Sequence, residues 1–278
     1  MSGTLKILQR FEACEGAAVV VGARTGAPPL CDVGDAALAL CAGLGEEERR
    51  TGRPVAAVCV RVAGEDDGVW AALALDWIAR HGRRPVLRTP AVIPRDLLAV
   101  VRRTGALVAL ELASTREAVQ RALLGPAASP VAGLLLQAQH LEALGIPIVG
   151  ILGPLLGGLH DDGALRALAS HAAGASLRDL HVVVGQVSAR RARVLGEVLG
   201  ADALRAVARA YGFDPARPPD DRPARLPTAA HVALHTRAVL AAEGYGIVVD
   251  RCGCPLAHRE AVTRSPVSLE APALFETA

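Results

Sequence analysis

The stretch RPVLRTPAVIPRDLLAVVRRTGALVALELAST, residues 84–115, contains two short apolar runs with a helical pattern between them. The runs 85–88 and 107–112 are rich in Val and Leu, and residues 94–103 repeat apolar positions at helical spacing. Gly105 precedes the second run, where a left-handed glycine commonly ends a helix. Continuous apolar strands bracketed by helices are typical of parallel strands that are buried on both faces. The stretch therefore predicts a βαβ unit.

The same alternation recurs on both sides of this unit. Predicted strands are 17–21, 55–62, 85–88, 107–112, 148–152, 181–184 and 247–249. Predicted helices are 35–42, 69–81, 94–103, 115–123, 131–144, 164–173 and 189–199, with Gly82, Gly105 and Gly145 as C-terminal caps. About six such units predict an α/β fold with a partial or full (β/α) TIM-type barrel, although periodicity alone does not exclude a doubly wound sheet.

The pattern changes after Gly200. Residues 211–227, YGFDPARPPDDRPARLP, are rich in Pro and Arg and indicate an exposed linker or lid. Thr228 is expected to cap a last helix over 229–243, which leads into the final predicted strand. We therefore predict a barrel over residues 1–200, followed over 201–278 by the linker or lid and a C-terminal helix–strand extension.

Composition excludes several function classes. Apolar residues make up 51% of the 278 residues and aromatic residues only 3%, so the core is built from aliphatic side chains. The net charge of +2 gives no electrostatic argument for binding nucleic acid or a membrane surface. The most apolar stretch, 145–159, is too short and too broken by Gly and Pro to span a bilayer. No N-terminal signal is visible, and we expect a soluble, cytoplasmic protein.

Three stretches resemble the spore photoproduct lyase-like group of radical S-adenosylmethionine (radical SAM) proteins. Residues 116–162 carry the group's Gly-Pro and Ser-Pro pairs, a helix, the GIP of 145–147, Pro154 and a Gly-Leu-x-Asp turn at 158–161. Residues 84–115 resemble the preceding strand–helix–strand unit, and residues 55–69 more loosely resemble a strand with its following loop. The resemblance covers roughly residues 10–190 and implies a barrel with SAM and a [4Fe–4S] cluster.

The cluster motif itself is incomplete. The group's loop, NPYRGCEHGCIYCFAR, aligns with QRFEACEGAAVVVGAR at residues 9–24, which keeps Cys14 and places Ala18 and Val21 where the other two cysteines stand. Iron–sulfur clusters are held by thiolates, and neither replacement offers a donor atom. We therefore predict that no cluster is bound, that 17–21 is a buried strand, and that Cys14 is a small buried side chain. SAM binding stays open.

Other positions depart from the group in a way that suggests a different site. The resemblance places Arg88 at a lysine, Glu111 at a serine and His160 at an asparagine, and these three are the candidate catalytic residues. Candidate cofactor-binding residues are Cys14, Glu65, Asp66, Gly157 and Gly158. Because the ends of parallel barrel strands converge on one face, we expect Arg88 and Glu111 to form a partly buried ion pair there.

The C-terminal residues contain a weak metal pattern. His231 and His235 are four residues apart on a predicted helix, and Cys252, Cys254 and His258 follow the last strand. Cys-x-Cys at this distance matches no standard zinc finger, so we predict no metal site here.

The leading hypothesis is a radical-SAM-like barrel that has lost its cluster ligands and acts without radical chemistry, as a small-molecule-binding or protein-partner subunit. One alternative is an active enzyme, either with a cluster rebuilt from Cys14, Cys252 and Cys254 or with a site at Arg88, Glu111 and His160. A second alternative is a zinc-stabilised module.

Overall fold

The fold is built on one sheet whose strands follow the order of the chain. The computed structural model describes residues 6–10 and 18–22 as backbone, and residues 57–62, 68–217, 219 and 222–250 together with single positions between 41 and 55. The strands are β1 (Lys6–Arg10), β2 (Ala18–Gly22), β3 (Ala57–Arg61), β4 (Arg84–Thr89), β5 (Leu107–Leu112), β6 (Ile148–Leu155), β7 (Asp179–Val184) and β8 (Val248–Asp250). Strand β1 is antiparallel to β2, and all later neighbours are parallel.

Helices connect most of the parallel strands. In the described part of the chain they are α1 (Gly68–Arg80), α2 (Arg95–Thr104), α3 (Glu117–Leu124), α4 (Val131–Ala143), α5 (Asp162–Gly174), α6 (Ala189–Leu199), α7 (Ala201–Tyr211) and α8 (Thr228–Glu243). None of them has the length and apolarity needed to cross a bilayer. The predicted helix over 35–42 lies outside the described residues except for Cys41, which is helical.

The prediction of a partial TIM-type barrel is confirmed. Strands β1 and β8 stand at the two ends of the strand order, and no hydrogen-bonded pairing joins them among the described residues. The glycines Gly82, Gly105 and Gly145 all adopt the positive φ expected of helix caps, between 62° and 68°. Strand β8 pairs with β7, so the C-terminal helix–strand segment continues the hydrogen bonding of the barrel sheet.

Three local features differ from the sequence-based prediction. Strand β1 has no counterpart in that prediction, and it precedes the segment expected to be the first strand. Helix α7 is also not predicted from the sequence. Its helical residues begin directly after Gly200, where the sequence indicates a change of domain. Thr228 is the first helical residue of α8, not its cap; Pro227 occupies the capping position.

The two faces of the sheet have different surroundings. Val58 and Val60 of β3 belong to a large apolar core that includes helix residues such as Leu75. Cys59 alternates with them and belongs to a separate small cluster with Val86 and other strand residues, Leu107, Ala109, Val149 and Ile151. Because side chains alternate along a strand, the first group faces the helices and the second faces the barrel interior. We call this second surface the inner face.

The loop after β6 packs closely against α7. Gly158 has φ +81°, and a Cβ atom added there would collide with the carbonyl oxygen of Ala206 in α7. A Cβ atom added at the neighbouring Gly157 would lie 2.8 Å from a methyl carbon of Leu226. Both glycines therefore permit a close approach of backbone to its neighbours.

This packing predicts that Gly158→Ala destabilises the protein more than Gly212→Ala. Gly212 also has positive φ, at 70°, but no atom lies within 4 Å of the position that a Cβ atom would take there. Ala at Gly212 should cost about 1–2 kcal/mol for the left-handed backbone alone. Ala at Gly158 should cost about 1–3 kcal/mol more, because the clash forces α7 to move. Equal losses in urea unfolding would contradict the close approach.

Candidate functional site

Three charged side chains lie on the inner face where β3, β4 and β5 end. Arg61 is paired in register with Arg88, and Arg88 is paired with Ala109. Glu111 lies two residues beyond Ala109, so it points to the same face. The carboxyl ends of these strands therefore bring two guanidinium groups to one carboxylate, at the end of the barrel where TIM-type enzymes carry their active sites.

The Glu111 carboxylate is shared between the two arginines. Arg88 donates from Nε to Oε1 at 2.7 Å, and its Nη2 lies 2.5 Å from the same oxygen. Arg61 donates from Nε and Nη2 to Oε2 at 3.3 Å and 3.2 Å. Glu111 has no exposed surface and the Arg88 side chain is 9% exposed, whereas that of Arg61 is 33% exposed. The expected Arg88–Glu111 pair is thus present, and it is buried, not partly exposed.

The charges of this cluster stabilise each other. Burial alone would raise the pKa of Glu111, but the charges of Arg88 and Arg61 outweigh burial and lower that pKa below its ordinary value. Burial works against the charge on Arg88 as well, and the Glu111 carboxylate more than compensates by raising the Arg88 pKa. The Glu111 carboxylate and the Arg88 guanidinium group are therefore both ionised at neutral pH.

Cys59 lies on the inner face two residues before Arg61. Its thiol is fully buried, and burial raises its pKa to about 12 despite the nearby Arg88 charge. A thiol in this state stays protonated at neutral pH and is a poor metal ligand. Cys59 therefore acts as a small apolar side chain of the interior.

A third arginine reaches the same region from the start of α6. Arg191 donates from Nη1 to the Gln186 carbonyl oxygen at 2.6 Å and from Nη2 to that of Leu123 at 3.5 Å. Burial and the like charge of Arg61 lower the Arg191 pKa, and no carboxylate pairs with it among the described residues. Sequence reasoning missed both Arg61 and Arg191. The available signal for Arg61 is that it is the one charged residue in the apolar run VCVRV, residues 58–62.

His160 is held by the backbone on both sides of its ring. The Leu156 N–H donates to Nδ1 at 2.9 Å, and Nε2 lies 2.8 Å from the carbonyl oxygen of Ala113, to which it donates. The side chain is 3% exposed, and burial lowers its pKa. His160 therefore joins the loop after β6 to the end of β5 as a neutral imidazole. Its hydrogen-bond partners are the backbone groups of Leu156 and Ala113, and they do not include Arg88 or Glu111.

The remaining predicted site residues are distributed as follows. Gly157 and Gly158 pack against Leu226 and α7, as described above. His231 and His235 lie one turn apart on α8, where burial and the charge of His231 lower the His235 pKa. Cys14, Glu65, Asp66, Cys252, Cys254 and His258 lie outside the described residues. Within the described residues, no three His, Cys, Asp or Glu side chains are grouped to hold a metal ion.

The residues present do not fit an iron–sulfur cluster at the aligned positions. Ala18 and Val21 lie in β2, where they pair with Ala57 and Val60 of β3. Val21 is also paired with Ile7 of β1. The segment is therefore a strand of the sheet with neighbours on both sides, and its aliphatic side chains carry no donor atom for iron.

Comparison with solved structures gives distant likenesses in fold. No protein-family model and no curated protein matches the chain. A solved structure with a similar backbone is an N-terminally truncated Elp3 of the archaeon Methanocaldococcus infernus, with TM-score 0.45 and 13% sequence identity. The match covers 84% of this chain and 56% of the Elp3 chain, so the chain spans little more than half the length of that neighbour.

The ion cluster predicts a specific double-mutant result. Glu111→Leu should lower the free energy of unfolding by about 3–5 kcal/mol, because it leaves the buried Arg88 without its counter-charge. Adding Arg88→Met should restore a large part of this loss, since the unpaired buried charge is then gone. Urea unfolding of both single variants and the double variant measures the coupling. Additive losses would contradict the pairing.

The buried imidazole predicts a pH dependence. His160 has a folded-state pKa below the ordinary 6.5, so the unfolded chain takes up a proton first as the pH falls. Its contribution to stability is complete above the ordinary pKa and is lost as the pH falls below it. The loss of Tm between about pH 7.5 and about pH 5.5 should therefore be smaller in His160→Gln than in the parent. The control variant is His171→Gln, at an exposed position. Its Tm should change between these two pH values by as much as the Tm of the parent.

Proposed function

We propose that this protein is a radical-SAM-like barrel that works without an iron–sulfur cluster, as a ligand-binding or partner subunit and not as a radical enzyme. The observation that carries the proposal is strand β2. Ala18 and Val21, which the sequence resemblance aligns with two cluster cysteines, are aliphatic residues of a paired strand. A cluster held by a single thiolate lacks the ligands that such clusters require.

The inner face supports the same proposal. Cys59 is the cysteine of the described barrel interior, and its raised pKa of about 12 disfavours the thiolate form that iron binding needs. The end of the interior is occupied by the ion cluster of Arg61, Arg88 and Glu111. Such a surface is suited to recognise a charged ligand and supplies no redox chemistry of its own.

The contacts of the candidate catalytic residues favour binding over catalysis. Both Glu111 oxygens accept hydrogen bonds from guanidinium groups, and the lowered pKa of Glu111 makes it a weak base. Both His160 ring nitrogens are engaged by backbone groups. General acid–base catalysis needs a group with a pKa near neutrality that can reach the substrate, and these two side chains lack that combination.

Anaerobic reconstitution with iron and sulfide tests the proposal. We expect the parent protein to retain no cluster after desalting. About four irons per chain, with a broad absorption near ~400 nm, would overturn the proposal. The matched variant Ala18→Cys/Val21→Cys restores the aligned cysteines beside Cys14. If only that variant takes up iron, the parent fails to bind a cluster because it lacks these two thiolates. SAM titration by calorimetry on the same samples determines whether the barrel still binds the nucleoside.

A further inference from the structure

Within the part of the chain that the structure describes, the ion cluster has more positive than negative charge. Arg61 and Arg88 contact one carboxylate, that of Glu111, and the charges of Arg61 and Glu111 both act on Arg191. The described residues around the three arginines supply no second acid. Among the described residues, two of these three guanidinium charges therefore have no carboxylate that neutralises them. Partly buried charges are costly unless a partner compensates them. The arrangement is therefore favourable when an anion is bound.

The guanidinium groups also carry N–H donors that have no acceptor among the described residues. Arg61 uses Nε and Nη2 on Glu111, and neither its Nη1 nor the Nη1 of Arg88 has a hydrogen-bond acceptor among the described residues. Each guanidinium carries five N–H donors in a planar fork, which matches the oxygens of phosphate or carboxylate. Because Arg61 is one-third exposed, a ligand can reach this fork from solvent.

The buried carboxylate fixes the orientation of this surface. Glu111 has no exposed surface, and it contacts Arg88 from one side and Arg61 from the other. A guanidinium held by a buried acid loses little conformational freedom when it binds a ligand, so affinity is gained at low entropic cost. Arg191 is held in turn by the carbonyl groups of Gln186 and Leu123.

We propose that Arg61 and Arg191, beside the buried Arg88, bind the anionic oxygen group of a small molecule, either a phosphate or a carboxylate. The site lies at the carboxyl ends of β3 and β4 and the start of α6. Glu111 is a positioning residue that holds Arg61 and Arg88. This proposal rests on the proposed binding function and names the ligand class, and it requires no metal and no covalent step.

Calorimetric titration of the full chain with inorganic phosphate and, separately, with malonate tests the proposal. Both titrations are run at constant ionic strength set with sodium chloride, so that general screening is the same in every sample. Saturable binding of at least one probe by the parent protein is expected. Tighter binding of phosphate identifies a phosphate-bearing ligand, and tighter binding of malonate identifies a carboxylate. Failure of the parent to bind either probe would overturn the proposal.

Four variants locate the binding. Arg61→Gln and Arg191→Gln should each weaken the preferred probe about tenfold or more, because each removes charge-assisted hydrogen bonds. Arg61→Lys keeps the charge without the planar fork, and its affinity should fall between those of the parent and Arg61→Gln. The control is Arg83→Gln, which removes a part-buried arginine from a pair with Glu48 at the opposite end of β4. It should bind like the parent.

Two outcomes contradict the location of the site. If Arg83→Gln loses as much affinity as Arg61→Gln, binding reflects total charge and no particular site. If Arg61→Gln and Arg191→Gln both bind like the parent, the arginines are purely structural. Circular dichroism of each variant confirms that it is folded. The iron content after reconstitution is independent of these titrations. Loss of this proposal therefore leaves the proposed cluster-free function intact, and a cluster in the parent would overturn that function whatever the titrations show.

Discussion

A fully buried carboxylate stays ionised only if positively charged groups lie beside it. Glu111 is such a carboxylate, and three neighbouring strands must therefore be aligned so that arginine side chains contact it. Burial raises its pKa, and the two guanidinium groups must overcome that cost. They do so because β3, β4 and β5 are in a register that places Arg61 opposite Arg88 and brings Glu111 to the same face. A shift of one residue in either pairing would turn one of these charges toward the apolar layer beneath the helices. The ion cluster and the strand register therefore depend on each other.

Helix α7 completes the end of the barrel where this cluster lies. Gly158 allows the loop after β6 to approach the Ala206 carbonyl group closely. The Tyr211 hydroxyl, at the last residue of the helix, donates to the Gly185 carbonyl oxygen at 2.8 Å, in the loop after β7. One helix thus contacts two successive loops at the carboxyl ends of the strands. The second of these loops leads directly into α6, so the position of Arg191 depends on the same packing.

The sequence predicts those elements whose signal is local and regular. Strand β5 is predicted to the residue, since LVALEL is a continuous apolar run after a capping glycine. Strand β1 escapes prediction because KILQR is short and polar, and only its pairing with β2 makes it a strand. The Arg88–Glu111 pair is predictable from adjacent strand ends. The position of Arg191 near this pair is not predictable from the sequence. It depends on how α6 packs against the sheet, and no local sequence pattern determines that packing.

The thiol and the guanidinium groups of the inner face explain why the proposed cluster-free function and the proposed anion site are consistent with each other. Nearby arginines lower the pKa of a thiol, and Cys59 has two of them, yet burial dominates and its pKa rises to about 12. Glu111 is equally buried, and its pKa falls because direct hydrogen bonds add to the charge attraction. The same interior therefore suppresses a thiolate and maintains a carboxylate. The protonated thiol is a poor ligand for soft metals. The ionised carboxylate holds the arginines in a fixed orientation, and charged, oriented arginines are what an anion-binding site needs.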